Sequence, residues 1–121
     1  MTPDIERKLM IVDDHAEFRA IARKLLVDAG YQVVAEAADG ASALLAASRV
    51  EPDLVLLDVV LPGLDGFAVC EQLSRSHPNA QVVLTSSGDR ARYARRLAVS
   101  TARGFVAKQQ FSAAAFAALV E

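Results

Sequence analysis

The sequence holds little cysteine, histidine or proline: one Cys, two His and four Pro in 121 residues. A lone thiol, Cys70, excludes an intramolecular disulfide, so a reducing cytoplasm is the expected compartment, and Cys70 reads as a small buried hydrophobe. Apolar runs are short, and none approaches the roughly 18–20 residues of a membrane span, so no membrane partner is expected. An excess of one charge is also missing. Thirteen Lys+Arg against fifteen Asp+Glu leave a formal net charge of −2, which argues against direct nucleic-acid binding. No Gly-x-Gly-x-x-Gly or Walker-type loop follows any apolar run, which removes the common nucleotide-binding folds. What is present, 53% hydrophobic and 23% charged residues, suits one compact domain over residues 1–121.

Two hydrophobic periods alternate along the chain. Leu9-Met10-Ile11-Val12 is a short apolar run, and Phe18, Ile21, Ala22, Leu25 and Leu26 then recur at the three-and-four spacing of a helix face. Gly30 stands where a helix C-terminal glycine belongs. Residues 31–37 read as a second strand and 41–49 as a second helix. Leu54-Val55-Leu56-Leu57, Val82-Val83-Leu84 and Phe105-Val106-Ala107 are three further strands. Helices are expected around Phe67–Leu73, weakly over Arg90–Ser100, and after Ser112, which reads as an N-cap. Five βα units with continuously apolar strands predict an α/β fold: a doubly wound parallel sheet covered on both faces.

Four of the five runs end on a residue able to do chemistry: Asp13 and Asp14, Asp58, Thr85, and Lys108. In an open α/β sheet the carboxyl ends of the strands line one crevice, so these residues are expected to converge. Three carboxylates in one place need a cation, and an all-oxygen set favours a hard ion such as Mg²⁺. A magnesium ion beside an ammonium and a hydroxyl suits a phosphoryl group. An aspartate needs no deprotonation at neutral pH to act as nucleophile, and Asp58, at the end of the central strand and before a Pro-Gly loop, is the best placed.

Ile11-Val12-Asp13-Asp14-His15, residues 56–66 (LLDVVLPGLDG), Val83-Leu84-Thr85-Ser86 and Gly104-Phe105-Val106-Ala107-Lys108 together resemble a bacterial two-component response-regulator receiver domain. Asp-Asp-His, Ala-Arg-Gly-Phe and Gln109 in place of a proline resemble its NarL/LuxR-like branch. The resemblance implies a flavodoxin-like (βα)5 sheet of strand order 2-1-3-4-5. It implies a signalling switch and no metabolic enzyme, with Asp58 as the phosphoacceptor taking its phosphoryl group from a sensor histidine kinase or phosphotransfer protein. Asp14, Asp58 and the main-chain carbonyl of Val60 would hold Mg²⁺, with Asp13 acting through water and Mn²⁺ able to substitute. Lys108 would pair with the phosphoryl group. Thr85 would swing onto it while Phe105 turns inward, altering the surface of the fourth helix, fifth strand and fifth helix to control a downstream protein or a detached output domain. A homodimer formed on phosphorylation is a further expected partner. Glu121 follows the fifth helix with no helix-turn-helix after it, which leaves open a stand-alone receiver or one cut from its output domain.

Other readings are weaker. A haloacid-dehalogenase-type phosphatase needs Asp-x-Asp after its first strand, where Asp13-Asp14-His15 stands, and room for a cap. A degenerate receiver serving only as a binding module conflicts with the complete set of site residues. His15 is read as an exposed helix-start residue and not as a ligand, and His77 as a loop residue. Arg90, Arg92, Arg95, Arg96 and Arg103 read as a solvated basic face, with a contact surface for an acidic partner or a dimer mate as the alternative.

Overall fold

The computed structural model describes residues 7–121. Five strands, β1 (Lys8–Val12), β2 (Gln32–Ala37), β3 (Leu54–Asp58), β4 (Gln81–Ser86) and β5 (Gly104–Ala107), alternate with α1 (Ala16–Asp28), α2 (Gly40–Val50), α3 (Gly66–Ser76), α4 (Ala94–Val99) and α5 (Ala113–Val120). The strands are all parallel in the order β2-β1-β3-β4-β5, as expected. Among the described residues no helix is long and apolar enough to cross a membrane.

The side-chain period of two sorts the strand residues into two cores. Met10, Val12, Val55, Leu57 and Leu84 face α2 and α3, where they meet Ala43, Ala47, Val69, Cys70 and Leu73. Leu9, Ile11, Leu54, Leu56 and Val83 face α1 and α5, meeting Ala22, Leu26, Phe116 and Val120. With both faces covered, every residue of β3 is buried, which is why the strand reads as an unbroken apolar run ending at Asp58. Tyr31 precedes β2 instead of starting it, and its ring packs edge-on against Phe116 at 5.5 Å.

Helix ends follow the expected chemistry. Asp39, Asp65 and Ser112 cap α2, α3 and α5 by accepting the backbone N–H of Ser42, Ala68 and Ala115 at 2.8, 2.9 and 3.0 Å. Gly30 ends α1 at φ +102°. Its N–H donates to Val27 O and that of Tyr31 to Leu26 O, the paired bonds of a left-handed C-terminal turn.

One expectation needs correction. The apolar stripe of α1 is wider than the face it buries: Ala22 and Leu26 are in the core, but Ile21 and Leu25 are exposed. The Arg-rich stretch is short and irregular, in line with its weak helical pattern. A 3₁₀ turn over Arg90–Tyr93, capped by Asp89, precedes the two-turn α4, because only Tyr93 and Leu97 there pack on the core. Its basic face is partly engaged within the chain. Arg96 bonds Asp65 at 2.8 Å and lies over the Phe67 ring at 4.2 Å, and Arg103 donates to Leu119 O at 3.4 Å.

Gly66 sets the distance between α3 and the end of β3. A Cβ there would overlap the Asp58 carbonyl oxygen and approach Val59 Cα to 2.8 Å, both backbone atoms with no freedom to yield. At Gly30 a Cβ meets nothing within 4 Å, so only the positive φ resists substitution. Gly66→Ala is therefore expected to cost about 2–3 kcal/mol through overpacking, and Gly30→Ala only about 1–2 kcal/mol. Urea unfolding of both variants tests the order, and equal losses would contradict the close approach at Gly66.

Candidate functional site

The site lies at the carboxyl edge of the sheet, where β1, β3, β4 and β5 end side by side. Register fixes the arrangement: Val12 pairs with Leu57, Asp58 with Thr85, and Thr85 with Val106. Asp13 follows β1, fully buried, its backbone N–H held by Ala37 O at 3.0 Å and its carbonyl by Arg19 Nη1 at 2.6 Å. Asp13 Oδ1 accepts the backbone N–H of His15 at 2.8 Å, which bends the chain into α1 and turns Asp14 outward, where it is about one-third exposed.

Asp58 is 2% exposed. Its Oδ1 accepts the Val60 N–H at 3.1 Å and its Oδ2 the Lys108 ammonium at 3.2 Å. Burial, and then the negative charge of Asp13, push its carboxyl above the ordinary range, while Lys108 and the Val60 N–H oppose the shift. Lys108, in the 3₁₀ turn after β5, places Nζ 2.7 Å from Asp13 Oδ2 and 3.3 Å from His15 Nδ1, and lies 4.8 Å from the centre of the Phe18 ring. One ammonium thus serves two buried carboxylates over an aromatic face.

The other expected residues are in reach. Thr85 is buried beside Asp58, but its hydroxyl points away and donates to Val106 O at 2.6 Å. Val60 is 60% exposed at the mouth of the site. Phe105 is already 7% exposed, its ring 6.0 Å from that of Tyr93, which lies 6.2 Å from Phe67. The inward turn expected of Phe105 therefore has little distance to cover from this arrangement, because the aromatic cluster holds the ring in while Thr85 still faces β5.

The donor set fits a hard divalent cation. Asp13, Asp14, His15 and Asp58 each offer a ligand atom, all within 4.8 Å of one another. Asp13 Oδ2 is held by the Lys108 ammonium at 2.7 Å, so a cation entering the cluster would share that carboxylate with the lysine. Sequence reasoning missed two contributors. His15 is exposed as expected, yet its Nδ1 turns back to 3.2 Å from Asp13 Oδ1 and 3.3 Å from Asp14 Oδ1. Phe18 was placed on a core stripe, but its ring also forms the floor beneath Lys108. Adjacency to the acid pair was a visible signal for His15, and the position one helical turn past Asp14 was one for Phe18.

The raised Asp58 carboxyl has a consequence for stability. Below the ordinary carboxylate range Asp58 is protonated in folded and unfolded chains alike. As pH rises through that range the unfolded chain ionises first, so stability falls until the folded carboxyl also ionises, and the loss is then complete. Asp58→Asn, measured in chelator, is expected to raise stability at pH 7, because the neutral amide escapes the burial and Asp13 repulsion that raise the carboxyl. That gain should shrink as pH falls to the ordinary carboxylate range. Thermal melts of both proteins across pH check it, and a gain that grows in acid would contradict the shift.

Comparison with known proteins agrees with this geometry. Residues 9–120 match the response regulator receiver domain family. The chain is 35% identical over 102 residues to the response regulator GacA of Pseudomonas syringae pv. syringae, covering 84% of this chain and 48% of GacA. It is 42% identical over 83 residues to the nitrate/nitrite response regulator protein NarP of Escherichia coli, covering 68% of this chain and 39% of NarP. The chain thus spans about half the length, or less, of these relatives. The signal receiver domain of the response regulator NarL from Mycobacterium tuberculosis superposes with a TM-score of 0.81 at 30% identity, covering 95% of this chain and 97% of that one. With the fold, the strand-end acids and the family match in agreement, this chain belongs to the receiver domains of two-component response regulators.

Proposed function

We propose that residues 1–121 act as one phosphorylation-dependent switch in which Asp58 accepts a phosphoryl group from a phosphohistidine on a sensor kinase or phosphotransfer protein. The observation that carries this reading is the placement of Asp58 at the end of the central strand β3, paired in register with Thr85 and with one carboxylate oxygen 3.2 Å from the Lys108 ammonium. In the transfer an Asp58 carboxylate oxygen bonds to phosphorus as the P–N bond breaks, and the electron pair leaves with the donor imidazole, which takes up a proton.

Asp14, Asp58 and the Val60 carbonyl would hold Mg²⁺, with Asp13 acting through water and Mn²⁺ accepted in its place. The ion supplies charge neutralisation on the transferring oxygens. Lys108 moves its ammonium from the two carboxylates to the new phosphoryl oxygens. Thr85 exchanges its bond to Val106 O, a neutral hydrogen bond worth about 1 kcal/mol, for a charge-assisted one worth about 1.5–3 kcal/mol. That gain alone is short of the ~5.5 kcal/mol needed to take a population from 1:99 to 99:1. The Thr85, Lys108 and metal contacts must therefore act together to shift the surface of α4, β5 and α5 toward its partner, a downstream protein, an output domain or a second phosphorylated copy.

Incubation with Mg²⁺ and a small acyl phosphate, followed by intact-mass measurement, tests the reading. The wild type is expected to gain one phosphoryl mass, with no gain without Mg²⁺ or in Asp58→Asn. A gain that persists in Asp58→Asn would move the acceptor elsewhere. The exposed apolar Val60 has no group to orient a hydrolytic water, so the adduct should be long-lived. Val60→Asn is expected to shorten its half-life several-fold in a time course after donor removal, and an unchanged half-life would show that Val60 does not control water.

A further inference from the structure

The surroundings of His15 are not those of a bystander. Its Nδ1 has three polar neighbours at similar range: Asp13 Oδ1 at 3.2 Å, Asp14 Oδ1 at 3.3 Å and Lys108 Nζ at 3.3 Å. No protonation state of one ring nitrogen suits all three. With a proton it serves a carboxylate but faces an ammonium. Without one it accepts from Lys108 but turns its lone pair toward two anions. A divalent cation removes the conflict, because the nitrogen lone pair and the Asp14 carboxylate can then point at the same charge, with Asp13 reached through water.

The spacing agrees. Two ligands about 2.1 Å from one ion and at right angles to each other stand about 3.0 Å apart, close to the separation of Nδ1 from Asp14 Oδ1. The ligand atoms of Asp13, Asp14, His15 and Asp58 all lie within 4.8 Å of one another, so the imidazole shares one cluster with the three carboxylates.

We propose that His15 is a nitrogen ligand at the cation site and tunes which ion this domain prefers. Carboxylates and carbonyls alone favour Mg²⁺, whereas an added imidazole raises affinity for borderline ions such as Co²⁺ and Ni²⁺. The inference rests on the proposed cation site at Asp13, Asp14 and Asp58, and it assigns selectivity within that site to His15. The side chain is free to take this part, since it is largely exposed and makes no capping bond to α1.

The test is calorimetric titration of Mg²⁺ and Co²⁺ into the wild type, His15→Ala and His15→Gln, with electron spin echo envelope modulation of the Mn²⁺-loaded proteins. His77, the one other histidine, lies beside Lys8 and Pro52 at the opposite end of the sheet, so an imidazole nitrogen signal is attributable. The Co²⁺-to-Mg²⁺ affinity ratio is expected to fall at least about tenfold in both variants, in line with the loss of one ligand or its support. The directly bound ¹⁴N modulation should disappear with it. An unchanged ratio, or no nitrogen modulation in the wild type, overturns the inference while leaving Mg²⁺ binding and phosphorylation intact. Wild-type protein that binds Co²⁺ through His15 but fails to bind Mg²⁺ would support the inference and overturn the Mg²⁺ reading.

Discussion

A single ammonium group balances the charge at the carboxyl edge of the sheet. Lys108 Nζ reaches from the end of β5 to Asp13 at 2.7 Å and Asp58 at 3.2 Å, bridging the strand-end loops of β1 and β3. Both carboxylates are buried, and two unpaired charges there would each cost several kcal/mol. The alternatives are protonation, a metal or a lysine. Burial already pushes Asp58 toward the first, and the acid cluster suits the second. The lysine keeps the site foldable before any ion or phosphoryl group arrives. It rests over Phe18, an apolar ring that gives the ammonium a face without offering an acceptor that would compete for it.

The register of the sheet then decides what a charge added to Asp58 can reach. Thr85 pairs directly with Asp58 and Val106 with Thr85, so a hydroxyl on β4 has an acceptor on either side. In the present arrangement it is bonded toward β5. Strand β5 also carries Phe105, packed against Tyr93, whose hydroxyl lies 3.1 Å from Ser86 Oγ. On the proposed switch, a rotation of Thr85 would disturb the carbonyl of a strand tied through aromatic contacts to Tyr93 and the short α4, which has no buried residue of its own. Weak local packing lowers the cost of moving that element.

The fold and most of the site were legible for one physical reason. A strand buried on both faces is a continuous apolar run, so the first polar residue after it marks both the strand end and the crevice. Asp13, Asp58, Thr85 and Lys108 all carry that mark. What stayed hidden depends on side-chain direction. Helical spacing placed Ile21 and Leu25 with Ala22 and Leu26, but the helix buries a narrower arc than its apolar residues cover. The Arg-rich segment after β4 has no periodic apolar stripe, so its division into a 3₁₀ turn and a short helix follows from the Asp89 cap and from Tyr93 and Leu97. His15 was visible beside the acid pair, but the inward turn of its ring follows from the backbone bend that Asp13 Oδ1 imposes.

Lys108 and the proposed divalent cation would compete for the same oxygens. While Lys108 holds Asp13 and Asp58, an incoming ion would have to displace an ammonium that is already paired, which would lower apparent metal affinity. On the proposed function, a phosphoryl group on Asp58 would give the lysine stronger acceptors and free Asp13 to support the ion. Metal binding and phosphorylation would then favour each other through one side chain, with reciprocal coupling as linkage requires. His15 sits between the competitors, 3.3 Å from the lysine and 3.2–3.3 Å from the two acids. If His15 is a ligand as proposed, it would tip the contest toward the ion before phosphorylation, and the residue after the acid pair would set how far the domain is metal-loaded in its resting state.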